Sequence, residues 1–137
     1  MFFLFPDRLV SDMSSVRKTN LVAVVDDDDL LRVAIRRLLK ASGLEAVSFE
    51  SAEDLLNSDR LPEIACLIAD VRMPGMSGLE LQAKLKAQRC PIPIIFITAH
   101  GDTKMRIQAM CDGAVEFLTK PFDNAVLLEL VHAALRD

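Results

Sequence analysis

Three short, unbroken apolar runs constrain the fold of this 137-residue chain more than any other feature. They are residues 21–25, 64–69 and 94–97, which are rich in β-branched side chains and too short to be helices. Strands that are apolar on both sides are typical of a parallel sheet covered on both faces. The runs alternate with segments of helical periodicity, which predicts five strand–helix units within a single domain.

The remaining elements have weaker signals. Residues 45–49 and 115–118 are predicted to be the second and fifth strands. Asp28 and Asp29 are expected in the first turn of the first helix, where negative charge is favourable. Apolar spacing predicts five helices, one after each strand, around residues 31–39, 51–56, 79–85, 105–110 and 124–135.

Polar residues follow or end the main strands. Asp26 and Asp27 follow the first strand, Asp70 ends the third, Thr98 ends the fourth, and Lys120 lies just beyond the fifth. In an open parallel sheet the ligand site lies at the carboxyl ends of the strands. The sequence therefore predicts that these five side chains meet at one edge of the sheet.

Three carboxylates held close together repel one another unless a cation lies between them. An oxygen-rich site of this kind suits Mg²⁺, or Mn²⁺ in its place. We expect Asp26, Asp27 and Asp70 to hold the ion, directly or through water. The backbone carbonyl of Arg72 is predicted to complete the set of ligands.

The same edge also suits a phosphoryl group. Asp70 is the candidate nucleophile, because a carboxylate oxygen there would attack phosphorus in line. Lys120 would neutralise the equatorial phosphoryl oxygens, and the hydroxyl of Thr98 would donate a hydrogen bond to one of them. We therefore expect Asp70, Thr98 and Lys120 to carry the chemistry.

Composition excludes several other classes of protein. The net charge of −4 argues against a domain that itself binds nucleic acid. No apolar run approaches the roughly 20 residues of a membrane span. Three cysteines without metal-like spacing argue against zinc or a disulfide framework, and favour a cytoplasmic location.

Four segments carry a recognisable pattern: 24–28 (VVDDD), 70–78 (DVRMPGMSG), 97–102 (ITAHGD) and 113–122 (GAVEFLTKPF). Together they resemble the receiver domain of bacterial two-component response regulators, and their sequences are similar to those of the FixJ type. The resemblance implies an α/β, flavodoxin-like (CheY-like) (βα)₅ fold in three layers, with strand order 2-1-3-4-5. We expect residues 21–137 to form the receiver domain and residues 1–20 to be a poorly ordered extension.

The resemblance also implies a mechanism. A sensor histidine kinase would pass a phosphoryl group to Asp70 in a Mg²⁺-dependent reaction. Thr98 would then move toward the phosphoryl group, and Phe117, where the family often has Tyr, would turn inward. This switch would change the face formed by the fourth helix, fifth strand and fifth helix, and so control homodimerisation or an output domain, usually a DNA-binding transcription regulator. Such a receiver is a signalling domain that catalyses only its own phosphorylation and dephosphorylation.

Family positions also suggest roles for residues around the site and on the fourth helix and fifth strand. Arg72 and His100 flank the expected path of the hydrolytic water, and we expect their bulk to slow loss of the phosphoryl group. The Lys120–Pro121 peptide bond is usually cis in this family. Met105, Arg106, Ile107, Met110 and Val115 lie on the expected pairing face.

Several alternatives remain open at this point. An aspartyl phosphatase usually has a second acid two residues after its nucleophile, but Arg72 occupies that place. A dinucleotide-binding domain needs a glycine-rich loop after the first strand, where this chain has aspartates. The chain could also be a phosphorylation-independent protein-binding module, or a single-domain regulator without DNA output.

Overall fold

The computed structural model describes residues 19–99 and 102–136. Within these ranges the strands form one parallel sheet in the order β2-β1-β3-β4-β5. The predicted five-stranded sheet and its strand order are confirmed. The strands are β1 (Leu21–Val25), β2 (Glu45–Phe49), β3 (Cys66–Asp70), β4 (Ile94–Thr98) and β5 (Glu116–Thr119).

Five α-helices connect or follow the strands, as the sequence predicts. They are α1 (Asp29–Ala41), α2 (Ala52–Leu56), α3 (Gly78–Ala87), α4 (Thr103–Cys111) and α5 (Asn124–Arg136). A short 3₁₀ helix (Leu61–Glu63) was not predicted and delays the start of β3 to Cys66. Pro62 fits there because the first turn of a helix leaves N–H groups without partners.

The sheet separates two apolar cores, which makes a three-layer domain. Alternate residues of β1 point to opposite faces, so that Ala23 belongs to one core and Val24 to the other. Helices α2, α3 and α4 cover the first face, and α1 and α5 cover the second. Both faces exclude water, which explains why the central strands read as solid apolar runs.

Side-chain caps start the helices beside the carboxyl edge of the sheet. Asp28 accepts hydrogen bonds from the first turn of α1, and Asp102 accepts from Met105 N–H in α4. Ser77 and Glu80 form a reciprocal capping box at the start of α3. These caps determine the residue at which each of these helices begins, close to the predicted site.

Gly78 allows α3 to begin directly against the end of β3. A Cβ atom at this position would lie 2.2 Å from the carbonyl oxygen of Asp70. The backbone N–H of Gly78 donates to the carbonyl of Val71 at 2.8 Å. The lack of a side chain therefore allows the tight turn after Asp70, and the hydrogen bond to Val71 holds it.

Several sequence predictions concern residues outside the described ranges. The structure does not describe residues 1–18, His100, Gly101 and Asp137. The extension at residues 1–20 and the role of His100 therefore stay predictions. Thr19 is described, and its hydroxyl donates to the carbonyl of Glu63. Among the helices of residues 19–99 and 102–136, none is long and apolar enough to cross a membrane.

Candidate functional site

The three predicted carboxylates meet at the carboxyl edge of the sheet. Asp26 follows β1 and is completely buried, Asp27 is exposed, and Asp70 ends β3 with 7 % of its surface accessible. One oxygen from each of Asp26, Asp27 and Asp70 lies within 4.8 Å of the others. Parallel topology produces this cluster because β1 and β3 are neighbours in the sheet.

Lys120 joins the two buried carboxylates. Its Nζ lies 3.3 Å from Oδ2 of Asp26 and 3.2 Å from Oδ2 of Asp70. The backbone N–H of Lys120 donates to the carbonyl of Thr98 at 2.7 Å, and the Lys120–Pro121 bond is cis. The lysine therefore reaches the cluster from the end of β5, beyond β4.

Backbone hydrogen bonds hold the second oxygen of each buried carboxylate. Oδ1 of Asp26 accepts the N–H of Asp28 at 2.8 Å, and Oδ1 of Asp70 accepts the N–H of Arg72 at 3.1 Å. Each carboxylate thus uses one oxygen for the backbone and the other for Lys120. This division fixes the orientation of both side chains.

Burial and charge act in opposite ways within the cluster. Desolvation raises the pKa of Asp26, with a further contribution from the charge of Asp70, and outweighs the opposing effects of the Asp28 N–H and Lys120. Burial by itself lowers the pKa of Lys120, but the charges of Asp26 and Asp70 outweigh it and the pKa is raised. Lys120 is therefore a cation at neutral pH.

Thr98 lies on β4, the strand next to the one that Asp70 ends, and Phe117 lies on β5, the strand beyond it. Thr98 is buried and directly follows Ile97, which pairs with Asp70 in the sheet register. Phe117 is also buried, and its ring centroid lies 6.3 Å from that of Phe96. A path of neighbouring strand residues therefore connects Asp70 with Phe117.

Arg72 extends from the segment after Asp70 toward the start of α4. Its guanidinium lies 4.0 Å from the carboxylate of Asp102 and 3.8 Å from Sδ of Met105. The side chain is more than half exposed. Only the backbone N–H of Arg72 is seen in contact with Asp70, so the predicted ligation by its carbonyl stays a prediction.

The donor set fits a small divalent cation. Two oxygens that bind one Mg²⁺ are roughly 3–4 Å apart, because each bond is about 2.1 Å long. The three carboxylate oxygens within 4.8 Å of one another need only small movements to reach that spacing. Asp26, Asp27 and Asp70 are the residues that would hold the ion.

Fold and site together define a doubly wound, flavodoxin-like domain with an acidic edge suited to a divalent cation. A family model described as the response regulator receiver domain matches residues 22–132. The chain therefore belongs to the receiver domains of two-component response regulators. Receiver domains are phosphorylated by histidine kinases and bind Mg²⁺ at an acidic pocket; the family is not usually enzymatic.

Curated relatives and a solved structure agree with this assignment. The chain is 47 % identical over 114 residues to nodulation protein W of Bradyrhizobium diazoefficiens, covering 83 % of this chain and 50 % of the relative. It is 40 % identical over 117 residues to transcriptional regulatory protein FixJ of the same species, covering 84 % and 56 %. The structure of response regulator StyR matches with a TM-score of 0.79 and 47 % identity, covering 85 % of this chain and 59 % of that one. The chain thus spans about half the length of its curated relatives, and the FixJ-type resemblance is confirmed.

Two charged contacts near the site were missed from the sequence. Arg32 of α1 is buried against the backbone of Asp26, and Arg106 of α4 donates to the carbonyl of Phe117 at 2.9 Å. A signal for Arg32 existed, because it shares one helix face with the buried residues Ile35 and Leu39. The contact of Arg106 depends on how α4 packs against β5, which helical spacing does not specify.

We predict that Asp26→Asn increases the free energy of unfolding at neutral pH when divalent cations are removed. Folding raises the pKa of Asp26 mainly by desolvation, so its ionised form costs the folded state free energy. The gain should be about 1.4 kcal/mol for each unit by which folding raises the pKa. Urea unfolding followed by circular dichroism, with EDTA present, measures it.

The pH dependence provides the control. Below the pKa of the unfolded chain, about 4, Asp26 is protonated in both states, so the variant and the wild type should converge there. Above the pKa of the folded protein the difference should be constant. Asp59→Asn, which changes an exposed carboxylate, should leave stability unchanged. Lower stability of Asp26→Asn at neutral pH would contradict the prediction.

Proposed function

We propose that Asp70 accepts a phosphoryl group from a sensor histidine kinase in a Mg²⁺-dependent reaction, and that this phosphorylation switches the surface formed by α4, β5 and α5. The arrangement of Lys120 between Asp26 and Asp70, with Asp27 beside them, carries the proposal. It joins a nucleophile, a cation and a metal-binding carboxylate pair in one site.

Asp70 has the properties of an in-line nucleophile. Its oxygen attacks phosphorus while the P–N bond of the phosphohistidine breaks, and the electron pair remains on the imidazole, which then takes a proton from solvent. The Arg72 N–H at Oδ1 orients the carboxylate during the attack. Bound Mg²⁺ supplies positive charge that offsets the carboxylates and the phosphoryl oxygens.

Lys120 and Thr98 bind the product. Lys120 remains protonated and exchanges its contact with Oδ2 of Asp70 for one with a phosphoryl oxygen. Thr98 ends the neighbouring strand and moves to donate its hydroxyl to another phosphoryl oxygen. The space that Thr98 leaves is next to β5, where Phe117 lies.

The surface formed by α4, β5 and α5 is the one that Thr98 and Phe117 would change. Phe117 is buried beneath α4, whose Ile107 and Met110 are exposed to solvent. Rearrangement of Thr98 and Phe117 biases this apolar surface toward pairing with a second copy or toward control of an output domain. An output in transcription is supported by FixJ, which is named a transcriptional regulatory protein.

We predict that acetyl phosphate adds one phosphoryl group to the wild-type protein only when Mg²⁺ is present. Intact mass spectrometry is the direct measurement, because the chain has no Trp and no Tyr for fluorescence. Asp70→Asn should abolish the mass gain completely, and EDTA should do the same to the wild type.

Asp59→Asn is the matched control for that experiment, since it removes an exposed carboxylate on a different connection. It should gain the phosphoryl group as the wild type does. A wild type that gains no phosphate from acetyl phosphate or from phosphorylated histidine kinases would overturn the proposal, in favour of a phosphorylation-independent binding module.

We predict that beryllofluoride, which mimics the phosphoryl group, converts the protein from monomer to dimer in sedimentation experiments. Ile107→Glu, at a position on α4 that is 57 % exposed, should keep the protein monomeric because it puts a charge into the apolar surface. Val33→Glu on α1, at a position that is 44 % exposed, should dimerise like the wild type. A monomeric wild type in both states rejects dimerisation through this face.

We predict that replacing Arg72 and His100 together by alanine shortens the half-life of the phosphorylated protein. The large side chains are expected to obstruct the water that hydrolyses the acyl phosphate. Decay is followed by intact mass after removal of acetyl phosphate, and Arg36→Ala on α1 serves as the exposed control. Equal half-lives in the double variant and the wild type would disprove this role.

A further inference from the structure

Arg32 is a buried charge that the proposed reaction does not use. Apart from Asp26 and Asp70, it is the only charged side chain that is buried in residues 19–99 and 102–136. A buried guanidinium costs free energy unless its hydrogen bonds are satisfied. Its partners therefore indicate why the chain keeps an arginine on the apolar side of α1.

Both ends of the guanidinium contact the segment that carries the metal-binding residues. Nη1 donates to the backbone carbonyl of Asp26, and Nη2 pairs with the carboxylate of Asp29. The planar fork of arginine reaches both partners at once. Arg32 thus joins the end of β1 to the first turn of α1 across the connection that contains Asp27.

With this contact, every acceptor group of Asp26 is occupied. Its backbone carbonyl accepts from Arg32, Oδ1 accepts from Asp28 N–H, and Oδ2 accepts from Lys120. The two side-chain contacts are at the site itself, where Lys120 is proposed to exchange its Asp70 contact for a phosphoryl oxygen. Arg32 holds the backbone independently of that exchange.

We propose that Arg32 is a positioning residue that holds the Asp26–Asp27 segment in the conformation that binds the divalent cation. The inference rests on the proposed function, because it concerns the same cation site. Groups that orient metal ligands from behind typically contribute 10–100-fold to metal affinity.

Positioning and charge predict opposite effects of removing Arg32. Loss of a positive charge near three carboxylates makes the site more negative, so charge alone would tighten Mg²⁺ binding. Loss of the hydrogen bond frees the Asp26 carbonyl and lets the segment leave its binding conformation, which weakens Mg²⁺ binding. The sign of the change therefore separates the two roles.

The test measures Mg²⁺ affinity without phosphorylation, by isothermal titration calorimetry on the wild type, Arg32→Met and Arg36→Met. We expect Arg32→Met to bind Mg²⁺ about 10–100-fold more weakly than the wild type. Arg36→Met removes an equal charge from the exposed side of the same helix, and should bind Mg²⁺ as tightly as the wild type or slightly more tightly.

A second variant covers the case in which Arg32→Met does not fold. Arg32→Lys keeps a donor for one of the two partners but lacks the fork that reaches both Asp26 and Asp29, so its Mg²⁺ affinity should fall, by a smaller factor than that of Arg32→Met. Circular dichroism confirms folding before each titration. Unchanged or tighter Mg²⁺ binding in the variant that folds would overturn the inference while the wild type still binds Mg²⁺ and accepts phosphate. Absence of saturable Mg²⁺ binding in the wild type would instead overturn the metal-dependent function, and this inference with it.

Discussion

The ammonium group of Lys120 makes it possible for three carboxylates to meet at one edge of the sheet. Asp26 and Asp70 are buried on adjacent strands, where two negative charges repel each other strongly in the absence of water. Lys120 contacts one oxygen of each and comes from a strand two places away from β3. The contact of Lys120 with both carboxylates therefore depends on this order of the strands.

The compensation is incomplete, and this has a functional meaning. Asp26 still has a raised pKa, mainly because it is desolvated, and the exposed Asp27 adds a further negative charge beside it. A site with excess negative charge and oxygen ligands attracts a divalent cation, so the electrostatic cost to the folded state would also favour the metal binding that we propose.

Phe117, which we propose as a switch residue, connects the sheet with helix α4. Thr98 ends β4, and Phe117 lies on β5. Arg106 of α4 donates to the carbonyl of Phe117, and its guanidinium lies 6.0 Å from the centroid of the phenyl ring. The movement that we propose for the Phe117 ring would therefore change its contact with Arg106 of α4.

The sequence by itself determined the strands and which polar side chains lie at their carboxyl ends. Apolar runs that are covered on both faces have few alternatives to a parallel sheet, and this topology brings the carboxyl ends of its strands together. Only the tertiary structure decided which charges make contact. Lys120 and Asp26 are 94 residues apart, and the burial of Arg32 and the contact of Arg106 with β5 depend on helix packing. Local patterns specify which way a side chain faces on its own element, whereas its partner depends on how distant elements pack against one another.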